Sequence, residues 1–230
     1  MLVVDDHARA ATSGASPKGI KSEKVALSEQ QVTQLLTLLP PRTKGFYLTL
    51  LMTGIRPGEC LGLKWGDVDF ADKQLRIERQ IYRGKETTPK TEISKRTRPM
   101  VGELAQALVH HKIMSHYTEP SDFVFASVSG RPMNPDNLRK TLQATLKRMG
   151  LSLPKHADGL HALRHTSGSI AYRRTGNLKI AQEWLGHSSA RVTLDTYLHT
   201  GKDQQQATAA SLAEGIFRPA EISPDPKAVH

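Results

Sequence analysis

The sequence predicts an α+β domain that is mostly α-helical and carries a small three-stranded antiparallel sheet. Two patterns support this class. Apolar residues recur at helical spacing before residue 64 and again after residue 101, whereas alternation of apolar and polar residues is confined to the segment between them. With 38% hydrophobic and 23% charged residues in a chain of 230, a folded core is expected rather than wholesale disorder or a coiled-coil rod.

Three helices are predicted first. Ser28 stands three residues before Gln31, a capping box ahead of an apolar helical stripe that ends at Pro40-Pro41. A more buried helix over 43–53 should end at Gly54, and a short one should span 58–63.

Strand patterns begin after Asp67. Leu75 and Ile77 alternate with polar neighbours, Gly84 supplies a turn, and strand-like pieces at 81–82, 87–88 and 97–101 complete a small antiparallel sheet. From Arg76 to Arg98 this segment holds eight basic and three acidic residues, so one sheet face or turn should be strongly positive.

Helical patterns then resume, with predicted helices at 102–115, 135–149, 159–174, 177–185, 190–197 and 203–216. Asn134 is the expected cap of the second of these, and Gly150 its terminator. Its basic residues favour a solvated face, and contact with DNA is the alternative interpretation.

Composition limits the classes of function. A formal charge of +10 indicates a polyanionic partner, first of all nucleic acid, because a basic surface gains free energy by releasing counterions from phosphates. The single cysteine, Cys60, excludes an intrachain disulfide framework and favours a reducing cytoplasm. From this sequence we expect neither a membrane-spanning stretch nor a secretory leader, and we find no Gly-rich nucleotide loop in it.

Two short motifs could carry chemistry. His161 and Arg164 lie on one helical face, with His165 within reach, and a guanidinium beside an imidazole suits a phosphodiester. A zinc site at the two histidines is disfavoured, since Ala162 stands where a metalloprotease needs glutamate. Arg56 follows a glycine turn that should aim it outward, and Glu59 is placed to form a local ion pair with it.

These motifs resemble the catalytic domain of tyrosine recombinases of the phage-integrase type. The resemblance covers about residues 27–200 and rests on four pieces in the family's order: TGIRPGECLGLKWGDVDF at 53–70, PKTEISKRTRP at 89–99, HALRHT at 161–166 and LGHSSARVTLDTYLH at 185–199.

The resemblance implies roles for individual residues. Arg56 and Arg164 match the arginines that clamp the scissile phosphate, and Tyr197 matches the nucleophile. Lys90, with Lys95 as its rival, matches the acid that protonates the leaving group. His161 matches the first histidine of the family's motif, and His187 matches the position that holds His or Trp. Glu59 matches the acidic residue that supports the first arginine, and His165 matches a histidine in the outer part of the site.

The chemistry of these residue types agrees with that resemblance. A neutral tyrosine, with a pKa of about 10, is a poor nucleophile at neutral pH, so its attack requires proton removal and a fixed positive charge around the phosphate. Two arginines and His187 would supply that charge without metal or nucleotide cofactor, and His161 would accept the proton. The expected activity is site-specific cleavage and rejoining of double-stranded DNA through a 3′-phosphotyrosyl intermediate.

The chain divides into four expected parts: a flexible basic arm at 1–26, the catalytic domain at 27–200, a C-terminal helix at 201–217 and a disordered tail at 218–230. The C-terminal helix either packs on a neighbouring protomer or folds back on its own domain. Family members usually carry an N-terminal helical domain, which a 26-residue arm is too short to form. A fragment, a natural truncation and a partner-dependent member are all compatible with that departure.

Self-association on DNA and accessory DNA-binding proteins are further expectations. Two other functions stay open: a DNA-binding regulator or inactive integrase remnant, and topoisomerase-like strand relaxation.

Overall fold

The computed structural model describes residues 26–87, 96–152 and 159–186. This part of the chain contains seven α-helices: α1 (Glu29–Leu38), α2 (Pro41–Thr53), α3 (Pro57–Gly62), α4 (Gly102–Ile113), α5 (Pro135–Arg148), α6 (Gly159–Thr175) and α7 (Leu178–Leu185). None of the helices in these three ranges is long and apolar enough to cross a membrane.

Local signals set the helix ends much as the sequence indicates. Ser28 and Gln31 form the expected capping box, in which the Ser28 N–H donates to the Gln31 amide oxygen at 2.8 Å. Pro41 lies where the sequence predicts the end of α1, and it is also the first residue of α2. Gly54 closes α2 in the left-handed region at φ +62°, which turns the chain sharply just before Arg56.

The predicted three-stranded antiparallel sheet is confirmed. It consists of β1 (Val68–Asp69), β2 (Gln74–Ile77) and β5 (Arg96–Pro99), in the order β1-β2-β5.

The strand-like piece at 81–82 and residue 87 do not join that sheet, contrary to expectation, and residue 88 lies outside the described residues. They contribute to a separate hairpin of β3 (Gln80–Tyr82) and β4 (Lys85–Thr87). The hairpin packs instead on α3, so closely that a Cβ on Gly58 would lie 2.7 Å from the carbonyl oxygen of Ile81. Arg79 fastens its base through an ion pair with the buried carboxylate of Asp67.

The core lies between the sheet and the helices, with α2 packed against α3, α4 and α6. The Phe46 ring makes edge contacts with Tyr47 and Phe125 at centroid distances of 5.5 and 5.4 Å. The Tyr47 hydroxyl is buried and donates to the Leu138 carbonyl at 2.7 Å, which ties α2 to α5. These contacts give α2 a fixed position, and α2 in turn places the turn at Gly54.

Helix α6 is buried along most of its length and contacts the start of α1. The Leu27 N–H donates to Thr166 Oγ1 at 2.9 Å, and that hydroxyl donates to the Ala162 carbonyl. The helix predicted at 159–174 is therefore a central element of the domain. The helices predicted at 190–197 and 203–216, the arm at 1–26 except residue 26, and the tail at 218–230 lie outside the described residues.

Candidate active site

Arg56 stands at the mouth of the site. It is the N-cap residue of α3, has an extended backbone and keeps 46% of its side chain exposed. Its Nη1 donates to Glu59 Oε1 at 3.0 Å, and its backbone N–H donates to Glu59 Oε2 at 2.7 Å. The predicted local ion pair is confirmed, and one carboxylate fixes both the backbone and the guanidinium of Arg56.

Glu59 is only 5% exposed and is shared with a second arginine. Arg96, on β5, donates Nη1 to Glu59 Oε1 at 3.0 Å and Nη2 to Glu59 Oε2 at 2.7 Å. This bidentate pair is the stronger geometry for a guanidinium and a carboxylate. Arg96 therefore holds in place the group that orients Arg56.

Arg164 lies deeper, on α6, and is 3% exposed. Its Nη1 donates to the carbonyl of Gly54 and its Nη2 to the carbonyl of Leu185. These two acceptors belong to the turn before Arg56 and to the end of α7, so Arg164 joins three elements. His161 and His165 are half-buried on the same helix.

Arg98, also on β5, is 9% exposed and reaches α7. Its Nη2 donates to the Glu183 carbonyl at 3.2 Å, and its guanidinium lies over the Trp184 ring, 5.7 Å from the centroid. Together these residues form the four-arginine cluster, which surrounds Glu59 and consists of Arg56, Arg96, Arg98 and Arg164.

The cluster has a surplus of positive charge. Burial and the neighbouring charges of Arg56, Arg96 and Arg98 lower the pKa of Arg164 to about 9, although Glu59 opposes them. Burial, with the charge of Arg96, likewise lowers the pKa of Arg98 to about 10. Both guanidinium groups remain protonated at neutral pH. One carboxylate faces four cations, an arrangement suited to an anion.

Sequence reasoning missed Arg96 and Arg98 as parts of the site. It assigned the basic residues of 76–98 to a positive face or turn, but these two share the buried face of the sheet. Arg96 pairs with Ile77 across the ladder and Arg98 with Leu75, and directly paired residues project to the same side. The pairing register carries this information, and the local sequence does not show it.

We expect Glu59→Gln to lower the free energy of unfolding by about 3 kcal/mol at neutral pH, because Arg96 would lose its charged partner in a buried site. Burial alone would raise the pKa of Glu59, but hydrogen bonds and charge from Arg96 and Arg56 outweigh it and lower the pKa below 4.5. The folded protein therefore binds the Glu59 proton less readily than the unfolded chain. This contribution is full above the unfolded pKa and is lost as pH falls through the folded one.

Urea denaturation of wild type and Glu59→Gln at neutral and acidic pH tests this expectation. The difference between the two proteins should shrink with acidification. Glu86→Gln is the matched control, since Glu86 is more exposed and pairs with Lys64 at 3.2 Å, and it should change stability by less than about 1 kcal/mol. A difference that stays constant with pH would contradict the assigned role of the Glu59 charge.

Three of the residues expected in the site, Lys90, His187 and Tyr197, lie outside the described residues, as does Lys95. The described part of the chain ends at Gly186, which caps α7 in the left-handed region at φ 63° and directly precedes His187. Across residues 26–87, 96–152 and 159–186, no group of three His, Cys, Asp or Glu side chains is placed to hold a metal ion.

This chain is similar in sequence to proteins of one known family. The family model described as the phage integrase family matches residues 26–204. The chain is 31% identical over 229 residues to a tyrosine recombinase XerC-like protein of Caldanaerobacter subterraneus subsp. tengcongensis, covering 89% of this chain and 57% of that protein. It is 28% identical over 206 residues to the transposase from transposon Tn916 of Enterococcus faecalis, covering 80% of this chain and 50% of the relative.

Solved structures show the same likeness. The Tn1549 transposon integrase, in complex with a circular intermediate DNA, superimposes with a TM-score of 0.70 at 26% identity, covering 84% of this chain and 67% of that one. The catalytic domain of bacteriophage HP1 integrase shares the fold, with a TM-score of 0.54 at 23% identity over 86% of this chain and 100% of that one.

The chain spans about half the length of the curated relatives it matches. The family model nevertheless covers well over half of this chain and includes the whole four-arginine cluster. The chain therefore belongs to the phage integrase family of tyrosine recombinases, and its fold is that of the family's catalytic domain.

Proposed function

We propose that this chain is the catalytic domain of a site-specific DNA recombinase that cleaves and rejoins DNA through a 3′-phosphotyrosyl intermediate. The observation that carries the proposal is the four-arginine cluster around a single buried carboxylate. A cluster of this kind is costly in an apolar core, and a phosphodiester offers the compensating charge together with acceptors for several N–H groups.

Arg56 and Arg164 are the proposed phosphate ligands. Arg56 presents an exposed guanidinium that Glu59 holds in one orientation. Arg164 lies beneath it and is 3% exposed, so its charge acts on a bound anion through a surrounding of low dielectric. As negative charge grows on the nonbridging oxygens during attack, these fixed cations stabilise the transition state more than the ground state.

The remaining chemical roles follow the same logic. Tyr197 attacks the phosphorus and its phenolic proton passes to His161, one turn from Arg164 on α6. The bond to the 5′ oxygen breaks as Lys90 donates a proton to that oxygen, and His187 donates a hydrogen bond to a nonbridging oxygen. The phosphotyrosyl bond conserves the energy of the broken phosphodiester, so a 5′ hydroxyl from another strand reverses the step.

Double-stranded DNA is the proposed substrate, and the exposed basic residues of α5 are proposed to lie along it. That helix buries Leu138, Leu142 and Leu146 and turns Lys140, Lys147 and Arg148 outward. The Tn1549 integrase, a structural relative, is solved on DNA. The proposal extends to self-association on DNA, to accessory DNA-binding proteins and to action in the cytoplasm on nucleoid DNA.

The proposed domain bounds are a basic arm at 1–26, the catalytic domain at 27–200, a C-terminal helix at 201–217 and a tail at 218–230. The relatives are longer, so whole-protein activity and its partners are part of the proposal rather than of the family assignment.

Trapping a covalent complex tests the proposal. The chain is incubated with a pool of nicked duplexes of randomised sequence, from which the short 5′-hydroxyl strand diffuses away after cleavage. We expect a denaturant-resistant complex, formed equally well with a metal chelator, that retains label only from the DNA on the 5′ side of the break. Mass spectrometry should locate the bond on Tyr197.

Two results would favour the other functions. DNA binding with no adduct anywhere in the pool would favour the regulator or remnant. Relaxation of supercoiled plasmids of unrelated sequence would favour topoisomerase-like activity.

A further inference from the structure

The last turn of α7 is held by two buried arginines from different parts of the chain. Arg164 donates to the Leu185 carbonyl and Arg98 donates to the Glu183 carbonyl, two residues apart at the helix end. Carbonyl groups at a helix C-terminus carry partial negative charge, so cations bind there favourably. Two guanidinium groups at one short helix end fix both its position and its rotation.

Arg98 also contacts the side of that turn. Its guanidinium lies over the Trp184 ring, while the Trp184 indole N–H donates to Ser167 Oγ on α6 at 2.9 Å. The same ring abuts Gly54, where a Cβ would lie 3.1 Å from Nε1 of Trp184. Through Trp184, Arg98 therefore packs α7 against the turn before Arg56 and against α6, the helix that carries Arg164.

The residue that ends α7 lies within contact distance of two arginines. A Cβ on Gly186 would lie 3.5 Å from Nη2 of Arg98 and 3.5 Å from Nε of Arg96. The chain therefore leaves α7 directly beside the four-arginine cluster. The next residue in the sequence is His187.

Arg98 occupies a position where a charged side chain is unfavourable for stability. It projects from the buried face of the sheet beside Leu75, where an aliphatic residue would pack without the cost of desolvating a charge. Within the described ranges, Arg98 donates its hydrogen bond to the Glu183 carbonyl of α7 and not to a carboxylate. What the guanidinium adds over an aliphatic side chain is control of that helix end.

We propose that Arg98 is a positioning residue that sets the C-terminal turn of α7, and through it the orientation of Arg164 and the starting point of His187. This inference rests on the proposed function, since it gives Arg98 a purpose in phosphate chemistry without contact with the phosphate.

The first measurement needs no activity. Carbon-13 histidine spectra of the full chain identify the His187 ring signal by its loss in His187→Ala, and nitrogen-15 spectra show the indoles of Trp65 and Trp184, the two tryptophans of the chain. In Arg98→Met the His187 signal should shift or broaden, whereas the Trp65 indole, whose N–H donates to the Tyr117 carbonyl, should stay in place. Arg98→Lys, which keeps the charge but has its N–H donors on a single nitrogen, should lie between Arg98→Met and wild type.

The second measurement is the single-turnover rate of covalent complex formation on the nicked DNA pool, at a temperature where all variants are folded. Arg98→Met should slow it by roughly 10- to 100-fold, because small displacements of catalytic groups cost about this much. Arg98→Lys should recover part of the loss. Leu75→Val, a substitution in the paired residue, is the control for a purely structural effect and should stay within about two-fold of wild type.

An unchanged His187 signal in Arg98→Met overturns the inference, and so does a cleavage rate within two-fold of wild type. Failure of wild type to form any adduct refutes the proposed function, in which case the spectra alone decide whether Arg98 sets the C-terminal turn of α7.

Discussion

Tyr197→Phe should abolish the covalent protein–DNA complex while leaving the fold and DNA affinity close to wild type. The substitution removes one oxygen and keeps the ring, so packing changes little. No other atom of the residue can form the phosphodiester bond, and the loss should therefore exceed the detection range of a gel assay, about 1000-fold or more. The measurement is denaturing electrophoresis with labelled nicked DNA, combined with a thermal melt and a binding titration.

Other tyrosines of the chain provide matched controls. Tyr82 is 60% exposed on the β3–β4 hairpin, and Tyr82→Phe should keep the adduct. Burial raises the pKa of Tyr47, whose hydroxyl donates to the Leu138 carbonyl, which makes it a poor nucleophile. Tyr47→Phe should cost about 1 kcal/mol of stability and also keep the adduct. Persistence of the complex in Tyr197→Phe would refute the assignment of the nucleophile.

The part of the site that sequence alone predicts is the part built by neighbours along the chain. Glycine readily adopts the left-handed backbone that ends a helix, so Gly54 predicts a sharp turn after α2. Glu59 lies three residues beyond Arg56, so their spacing predicts a local ion pair. The structure confirms both of them. The pairing of His161 with Arg164 on one helix is predictable for the same reason.

The part that sequence does not predict depends on distant pairing. Whether Arg96 and Arg98 face solvent or core is decided by the register of β5 on β2, in which a shift of one residue exchanges the two faces. The β3–β4 hairpin leaves the sheet because its backbone packs on glycines of α3, a contact between segments that no local pattern reveals. Both differences lie beside the site, so the fold class is easier to predict from sequence than the surroundings of the proposed phosphate ligands.

Glu59 forms both a contact that its neighbours in sequence predict and a contact that depends on the pairing of distant strands. Its bond to Arg56 is local, and its bidentate pair with Arg96 is formed across 37 residues. The carboxylate thereby links the orientation of a proposed phosphate ligand to correct pairing of the sheet. A misregistered β5 would leave Glu59 with one partner and Arg56 with a less firmly held anchor.

Lys90→Ala should slow cleavage of ordinary DNA by about 100- to 10,000-fold, and a sulfur at the bridging 5′ position should restore most of the rate. A thiolate is a far better leaving group than an alkoxide and departs without a proton, so a variant that lacks only the general acid no longer needs it. The comparison is made by single-turnover adduct formation with the two DNA substrates, which differ in one atom.

Arg164→Ala is the contrasting variant, and its rate should fall by a similar factor without recovery on sulfur-substituted DNA. Its guanidinium is proposed to stabilise charge on the nonbridging oxygens, which the bridging sulfur leaves unchanged. Lys95→Ala separates the two lysines of the segment. Rescue of Lys95→Ala in place of Lys90→Ala would move the general acid to Lys95, and rescue of Arg164→Ala would show that this arginine serves the leaving group, because only a group engaged with the departing oxygen becomes dispensable when that oxygen is replaced.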